Sequence, residues 1–328
     1  MVRVAINGFG RIGRTFLRTS LSRNDLEVVA INDIAPIEVM AHLFKYDSTH
    51  GITDAEVSFE NQDLIINGSR IAYSTRYSLD DLNWRNVDIV IEATGKFKDK
   101  SQLSKHLDAG ASKVILSAPP IDDDIKTIVL GVNEEILDTS DLIISNASCT
   151  TNNAAPLIKV VKDLCGIENA YISTVHSYTS DQSLHDQPHR DLRRARAAAQ
   201  SIIPTTTGAA KALTKVFPDL SNVIGGCGIR VPVPNGSLTD MTINVEEVVS
   251  IEQVNKAFYE YAAKHNTIME YTDLPYVSKD IAGSPYSCVF DSSMTSVIGK
   301  MVKLIGWYDN ETGYSNRLAD LSAKISTL

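Results

Sequence analysis

Short apolar bursts alternate with amphipathic stretches through the first half of the chain. Val2–Ile6, Glu27–Ile31, Val87–Glu92, Lys113–Ser117, Thr127–Leu130 and Leu142–Ser145 read as strands, each brief and bounded by turn residues. Helix-like runs follow the first burst, to about Ser22, and cover Asp99–Ala109. Val57–Ser74 reads as a hairpin turning at Asn67-Gly68. Alternation of this kind predicts a doubly wound, mostly parallel sheet, an α/β fold. The second half has a different texture. A helix runs from Cys149 to about Leu164, a strand spans Glu168–Val175, and a long polar stretch runs from Ser177 to Ser201. After the helix Ala209–Val216, the strands Asn222–Val233 and Ser237–Glu246 are long and alternating, which predicts an antiparallel sheet. Val297–Gly299 and Val302–Trp307 are further strands, and a terminal helix follows Tyr308–Gly313.

Two segments carry chemistry. Gly8, Gly10 and Gly13 form G-x-G-x-x-G between the first strand and its helix. The first glycine makes the tight turn, the second admits a pyrophosphate to the backbone, and the third lets helix and strand pack closely. The helix N-terminus then faces the anion. The next strand ends in Asn32-Asp33, about 20 residues on, where a carboxylate holds ribose hydroxyls and repels a 2′-phosphate. A glycine-rich turn with Asp33 capping a helix before Pro36 is the plainer alternative, but it does not require all four features in order. Ala93-Thr-Gly95 and Ser117-Ala-Pro119 fall at strand ends on the edge where such sheets hold ligands.

The second segment is Asn146-Ala-Ser-Cys-Thr-Thr-Asn152, where a strand should end and a helix begin. The helix terminus favours a thiolate at Cys149, and His176 ends another strand. A terminal charge gains about 0.3–1 kcal/mol, rising to ~2 in a sheltered site. That is about one pKa unit, so a thiol titrating near ~6 calls for an imidazolium partner as well. Read as a pair alone, Cys149 as a buried cap and His176 as a strand end are equally good. Pro204-Thr-Thr-Thr-Gly208 opens a helix and makes an anion site.

Composition narrows the field. The net charge is −9, and the one basic tract is Arg190–Arg196, so nucleic acid is not the main expected partner. No apolar run approaches the ~20 residues of a membrane span, and the N-terminus enters a strand without a leader-like segment. The four cysteines are far apart, which argues against a disulfide framework or a metal site and points to the cytoplasm. His50, His185 and His189 lie in loops, and Cys165, Cys227 and Cys288 read as packing residues.

Asn7-Gly-Phe-Gly-Arg-Ile-Gly13, Ala147-Ser-Cys-Thr-Thr-Asn152, His176-Ser-Tyr-Thr179, Asp191–Arg196, Pro204–Gly208 and Trp307-Tyr-Asp-Asn-Glu311, in this order over nearly the whole chain, resemble phosphorylating glyceraldehyde-3-phosphate dehydrogenases. The resemblance implies an NAD-binding domain over residues 1–148, a catalytic domain over 149–310, and a helix over 311–328 returning to the first. It implies Cys149 as nucleophile and His176 as base. Asn7, Gly8, Phe9, Gly10, Arg11, Ile12, Gly13, Asp33, Arg76, Ser117, Asn310 and Tyr314 match cofactor positions. Thr179, Asp181 and Arg230 match the site of the substrate's C3 phosphate, and Ser148, Thr150, Thr207 and Gly208 that of inorganic phosphate. It implies glyceraldehyde 3-phosphate and phosphate as substrates, no metal, and a homotetramer in which Arg193, Arg194 and Arg196 lock a loop at a subunit contact. Asn153 stands where many members carry a second cysteine, Ala93 where serine or cysteine is common, and Gln187-Pro188 where Leu-Pro is frequent. Two other readings share the fold: a dehydrogenase of erythrose 4-phosphate, and a non-enzymatic nucleotide- or RNA-binding relative.

Overall fold

The computed structural model describes residues 1–328. Met1–Ile128, Glu134–Ala147 and Ser315–Leu328 form one compact unit; Val129–Asn133 and Ser148–Tyr314 form the other.

The first unit is built on a nine-stranded sheet. Its spatial order is Lys126–Thr127, Ile143–Ser145, Lys113–Leu116, Ile89–Glu92, Val2–Asn7, Leu26–Asn32, Ser69–Ser74, Asp63–Ile66 and Val57–Glu60. The strands from Lys126–Thr127 through Ser69–Ser74 pair in parallel. Val2–Asn7 is flanked by the second strand on one side and by Ile89–Glu92 on the other, so chain order reverses there. Such a switch point opens a crevice at the carboxyl ends of the strands. Val4, Ala5 and Ile6 are fully buried, as a strand covered on both faces requires. Gly8 follows with φ +97, and a Cβ there would stand 2.6 Å from the backbone nitrogen of Thr94. A Cβ at Gly13 would meet the Gly8 carbonyl oxygen at 2.3 Å. The helix Arg11–Ser20 can approach the sheet only because that position carries no side chain.

Two expectations are corrected in this unit. The hairpin is a three-stranded meander with left-handed asparagines in both turns, Asn61 and Asn67 (φ 55 and 50). The strand expected over Thr127–Leu130 is only Lys126–Thr127, because the Asn133 side chain takes the Val129 N–H at 2.8 Å and turns the chain away. A helix not expected, Ile37–Lys45, starts after Pro36 and buries Met40, Ala41 and Phe44.

The second unit has a mostly antiparallel sheet. Its order is Ile203–Thr205, Ile224–Val231, Asn169–Ser177, Ser237–Asn244, Met301–Tyr308, Cys288–Asp291 and Met269–Thr272. Along Ser237–Asn244 every second residue is buried, the period-two signature of a sheet with one covered face. The helix Cys149–Cys165 packs across Ser237–Asn244, Met301–Tyr308 and Cys288–Asp291, beside the helices Ala209–Val216 and Ile251–Lys264. The last of these was also not expected. Ser250 and Gln253 close a capping box at its start, and Val254, Phe258 and Ala262 are buried one turn apart. No helix in the chain is long and apolar enough to cross a membrane.

Candidate active site

In the first unit a cavity of about 190 Å³ opens at the switch point. Asn7, Gly8, Gly10, Asp33 and Arg76 share its wall with Asn32, Thr94 and Phe97. Phe9, Arg11, Ile12, Gly13 and Ser117 are not part of that wall. Phe9 is buried and stacks on Phe44 with centroids 6.0 Å apart. Arg11 pairs with Asp47 at 2.5 Å. Burial opposes the Asp47 charge, but Arg11 and the backbone N–H groups of His50 and Thr49 outweigh it and bring the carboxyl to about 2. Ile12 and Gly13 lie in the first helix, and Ser117 follows the strand Lys113–Leu116, its N–H on the Glu92 carbonyl. Asp33 is fixed by two backbone donors, Phe9 N at 2.7 Å and Ala35 N at 2.9 Å.

These residues fit a dinucleotide. Gly10 caps the first helix, and no side chain satisfies that helix start. A Cβ at Gly10 would meet no atom within 4 Å, so packing does not demand glycine there and the space is open to a ligand. The strand-end rule points to Thr94 from sequence. Tyr77, Leu79 and Leu82 give no such signal, since they reach the wall only through the strand Ser69–Ser74 before them.

In the second unit Cys149 is the first residue of its helix. Ser148 caps it, accepting from Thr151 N at 3.1 Å, and the preceding Ala147 is left-handed (φ 55). Cys149 Sγ lies 3.6 Å from His176 Nε2. Parallel register places His176 opposite Arg230 on the neighbouring strand. His176 Nδ1 lies 2.7 Å from the Ser177 carbonyl oxygen, and Arg230 Nη1 donates to the same oxygen at 2.9 Å. Arg230 Nη1 also stands 2.7 Å from Nδ1, so that nitrogen faces an oxygen that only accepts and a guanidinium that only donates; hydrogen on Nδ1 serves the first and leaves Nε2 to accept from the thiol, and hydrogen on Nε2 serves the second. Burial, and after it the Arg230 charge, press the imidazole down to about 3.

Burial pushes the Cys149 thiol up, and Arg230 draws it down by less. The expected depression of the thiol is thus opposed by desolvation and favoured by the Arg230 charge. Below them the buried Tyr308 hydroxyl bonds to Thr150 Oγ1 and Thr174 Oγ1, both at 2.9 Å, and its ring meets His176 edge-on at 5.8 Å. Sequence reasoning missed this tyrosine. It lies within the Trp307–Glu311 segment that carries the resemblance, but no local pattern says its hydroxyl turns toward Thr150 and Thr174.

The other expected residues fall into three groups. Thr207 accepts from Ala209 N at 3.2 Å, and Gly208 caps the helix Ala209–Val216 without a side-chain bond. Thr179 and Asp181 lie in the polar loop. The Thr179 carbonyl accepts from Gln182 N, and Asp181 pairs with Arg194 at 2.5 Å. Arg194 also reaches Thr205 and Thr206, while Arg196 pairs with Asp186, so the loop's acids and arginines lock it internally. Asn310 Oδ1 accepts from the hydroxyls of Ser177 at 2.8 Å and Ser237 at 3.2 Å. That fixes the amide with its nitrogen turned away from them. Tyr314, in the terminal helix, is buried.

A nucleotide crevice in one unit and a thiol–imidazole pair in the other are the parts expected of a nicotinamide-dependent dehydrogenase. Residues 2–100 match the family described as "Glyceraldehyde 3-phosphate dehydrogenase, NAD binding domain", and residues 148–310 match its "C-terminal domain". The chain is 50% identical over 331 residues to the glyceraldehyde-3-phosphate dehydrogenase of Geobacillus stearothermophilus, covering 99% of this chain and 98% of that protein. It is 50% identical over 334 residues to the Mycobacterium avium protein of the same name, with the same coverage. Against glyceraldehyde-3-phosphate dehydrogenase 1 of Bacillus subtilis the figure is 49% over 330 residues, covering 99% and 98%. The chain belongs to the glyceraldehyde-3-phosphate dehydrogenase family, and its cofactor is NAD.

Proposed function

We propose that this chain oxidises glyceraldehyde 3-phosphate to an acyl phosphate, using NAD and inorganic phosphate. The observation that carries the reading is the 3.6 Å approach of Cys149 Sγ, at a helix start, to His176 Nε2. His176 Nε2 takes the thiol proton as sulfur attacks the aldehyde carbon, and passes it to the new alkoxide to give a hemithioacetal. The same nitrogen then withdraws the hydroxyl proton as the carbon is oxidised. Bound NAD supplies the hydride acceptor. A thioester on Cys149 results, and phosphate displaces the sulfur.

Arg230, Thr179 and Asp181 are assigned to the C3 phosphate, with Arg230 supplying the charge. Ser148, Thr150, Thr207 and Gly208 are assigned to the incoming phosphate, two of them at helix starts. Asp33 favours NAD over its 2′-phosphorylated form by like-charge repulsion, and Asn310 presents its amide nitrogen to the nicotinamide carboxamide. The protein acts in the cytoplasm as a homotetramer. Leu184, Leu192 and Ile202, 67, 83 and 69% exposed around the polar loop, give a subunit contact its apolar surface. Light scattering should return four times the 35.9 kDa chain mass; a monomer mass would remove the subunit assignment.

The test of the reaction is a steady-state assay with aldehyde, NAD and phosphate, omitting each in turn. Sustained reduction of NAD should require all three. Turnover without phosphate at the full rate would contradict a thioester that phosphate resolves.

A further inference from the structure

The first unit holds a buried ion that the reaction does not use. Glu92 ends the strand Ile89–Glu92 and is completely buried. No lysine or arginine pairs with it; its one charged-type neighbour is His106. The protonation pattern around it follows from donors that have no choice. Trp84 Nε1 can only donate, and it lies 3.0 Å from His106 Nδ1. That nitrogen is therefore the acceptor, the ring hydrogen sits on Nε2, and Nε2 donates to Glu92 Oε2 at 3.1 Å. Asn7 Nδ2 donates to the same oxygen at 2.6 Å. Thr94 N donates to Oε1 at 2.8 Å, and the Thr94 hydroxyl, which accepts from Lys96 N, donates there too. Four donors thus fill both oxygens, the pattern of a carboxylate rather than an acid.

The chain of bonds continues to the cofactor crevice. Asn7 Oδ1 accepts from Asn32 Nδ2 at 2.9 Å. Asn32 Oδ1 accepts from the Ser74 hydroxyl and from Arg76 N, both at 2.8 Å. Asn7, Asn32, Arg76 and Thr94 all line the 190 Å³ cavity, whereas Trp84, Glu92 and His106 do not. Leu79 and Leu82 also belong to both places, packed in one cluster with Trp84 and exposed to the cavity wall. One anion therefore sets the amide orientation of Asn7, and through it Asn32 and the Arg76 backbone, while its other oxygen holds the Ala93–Thr94 turn against Gly8.

We propose that Glu92, with its tautomer-fixed partner His106 and the indole of Trp84, is a positioning relay for NAD: a buried carboxylate that sets the three walls of the dinucleotide cavity from behind. The proposal rests on the NAD reading of that cavity. A glutamine at position 92 cannot replace the carboxylate. Whichever way its amide turns, its NH₂ faces a fixed donor, either Thr94 N–H or the pair formed by Asn7 and His106 Nε2–H. One wall must move.

The experiment uses the full chain labelled with 5-fluorotryptophan. It contains two tryptophans, Trp84 and Trp307, so the ¹⁹F spectrum has two signals, assigned with Trp307→Phe. Saturation with NAD should shift the Trp84 signal, although Trp84 does not line the cavity. Glu92→Gln should raise the calorimetric Kd for NAD about tenfold or more while cooperative unfolding persists, and the Trp84 signal should no longer respond at saturation. A merely structural carboxylate would lower the melting temperature and leave both readouts in place. The relay is overturned if the wild-type Trp84 signal stays still on saturation, a result that does not depend on the variant folding, or if Glu92→Gln binds NAD as the wild type does. Wild-type protein that fails to bind NAD at all would instead remove the reading of the cavity, and the relay with it.

Discussion

Arg230 acts on both members of the reacting pair. Its charge lowers the thiol and lowers the imidazole, so it favours a thiolate and opposes an imidazolium. It therefore assists loss of the thiol proton while making the imidazole a weaker base. The histidine leaves a thermodynamic trace. Its folded pKa is about 3 against an unfolded value of about 6.5, so the unfolded chain binds the extra proton between those limits. The stability it contributes is complete above pH ~6.5 and drains away as pH falls toward 3. His176→Asn should flatten the fall in urea midpoint between pH 7 and 4 by up to one proton's worth; parallel slopes for variant and wild type would show the ring is not held neutral. The pairing of Cys149 with His176 was legible because each sits at an element end in a polar run. Their charge states were not, because burial and an arginine supplied by strand register lie outside any local window.

At the scale of elements, the glycine loop separates two kinds of requirement. Gly13 is needed by the protein, since a Cβ would collide with the Gly8 carbonyl at 2.3 Å, and Gly10 by the ligand, since a Cβ would touch nothing. Gly13→Ala should cost about 1–3 kcal/mol of stability through overpacking. Gly10→Val should leave the melting temperature within a few degrees and weaken NAD binding about tenfold or more, measured by calorimetry. Equal stability losses in the two variants would sink the distinction. The strand–glycine–helix unit was readable because its punctuation is local. The helix Ile251–Lys264 is equally readable, with Ser250 and Gln253 forming a capping box ahead of Val254, Phe258 and Ala262. The helix Ile37–Lys45 was harder, since Pro36 reads as loop and the segment is short. The relay from Trp84 to Arg76 was not readable at all. Its members are spread over residues 7 to 106 and meet only because four strands align in parallel.

At the scale of the molecule, the alternation of short apolar bursts with helices is enough to announce the doubly wound unit, and the longer alternating strands announce the antiparallel one. Both follow from which faces of a sheet must be covered. Sequence pattern does not tell which strands become neighbours, and that decides which side chains meet: His176 opposite Arg230, Asn7 beside Glu92. The reaction assigned to the chain requires the second unit to carry the substrate covalently between oxidation and phosphate transfer. Intact-protein and peptide mass spectrometry on enzyme mixed with glyceraldehyde 3-phosphate and NAD, with phosphate withheld, tests this directly. A phosphoglyceroyl group should appear on the peptide containing Cys149, disappear when phosphate is added, and be absent in Cys149→Ala. Reduction of NAD with no adduct on that sulfur would contradict the account.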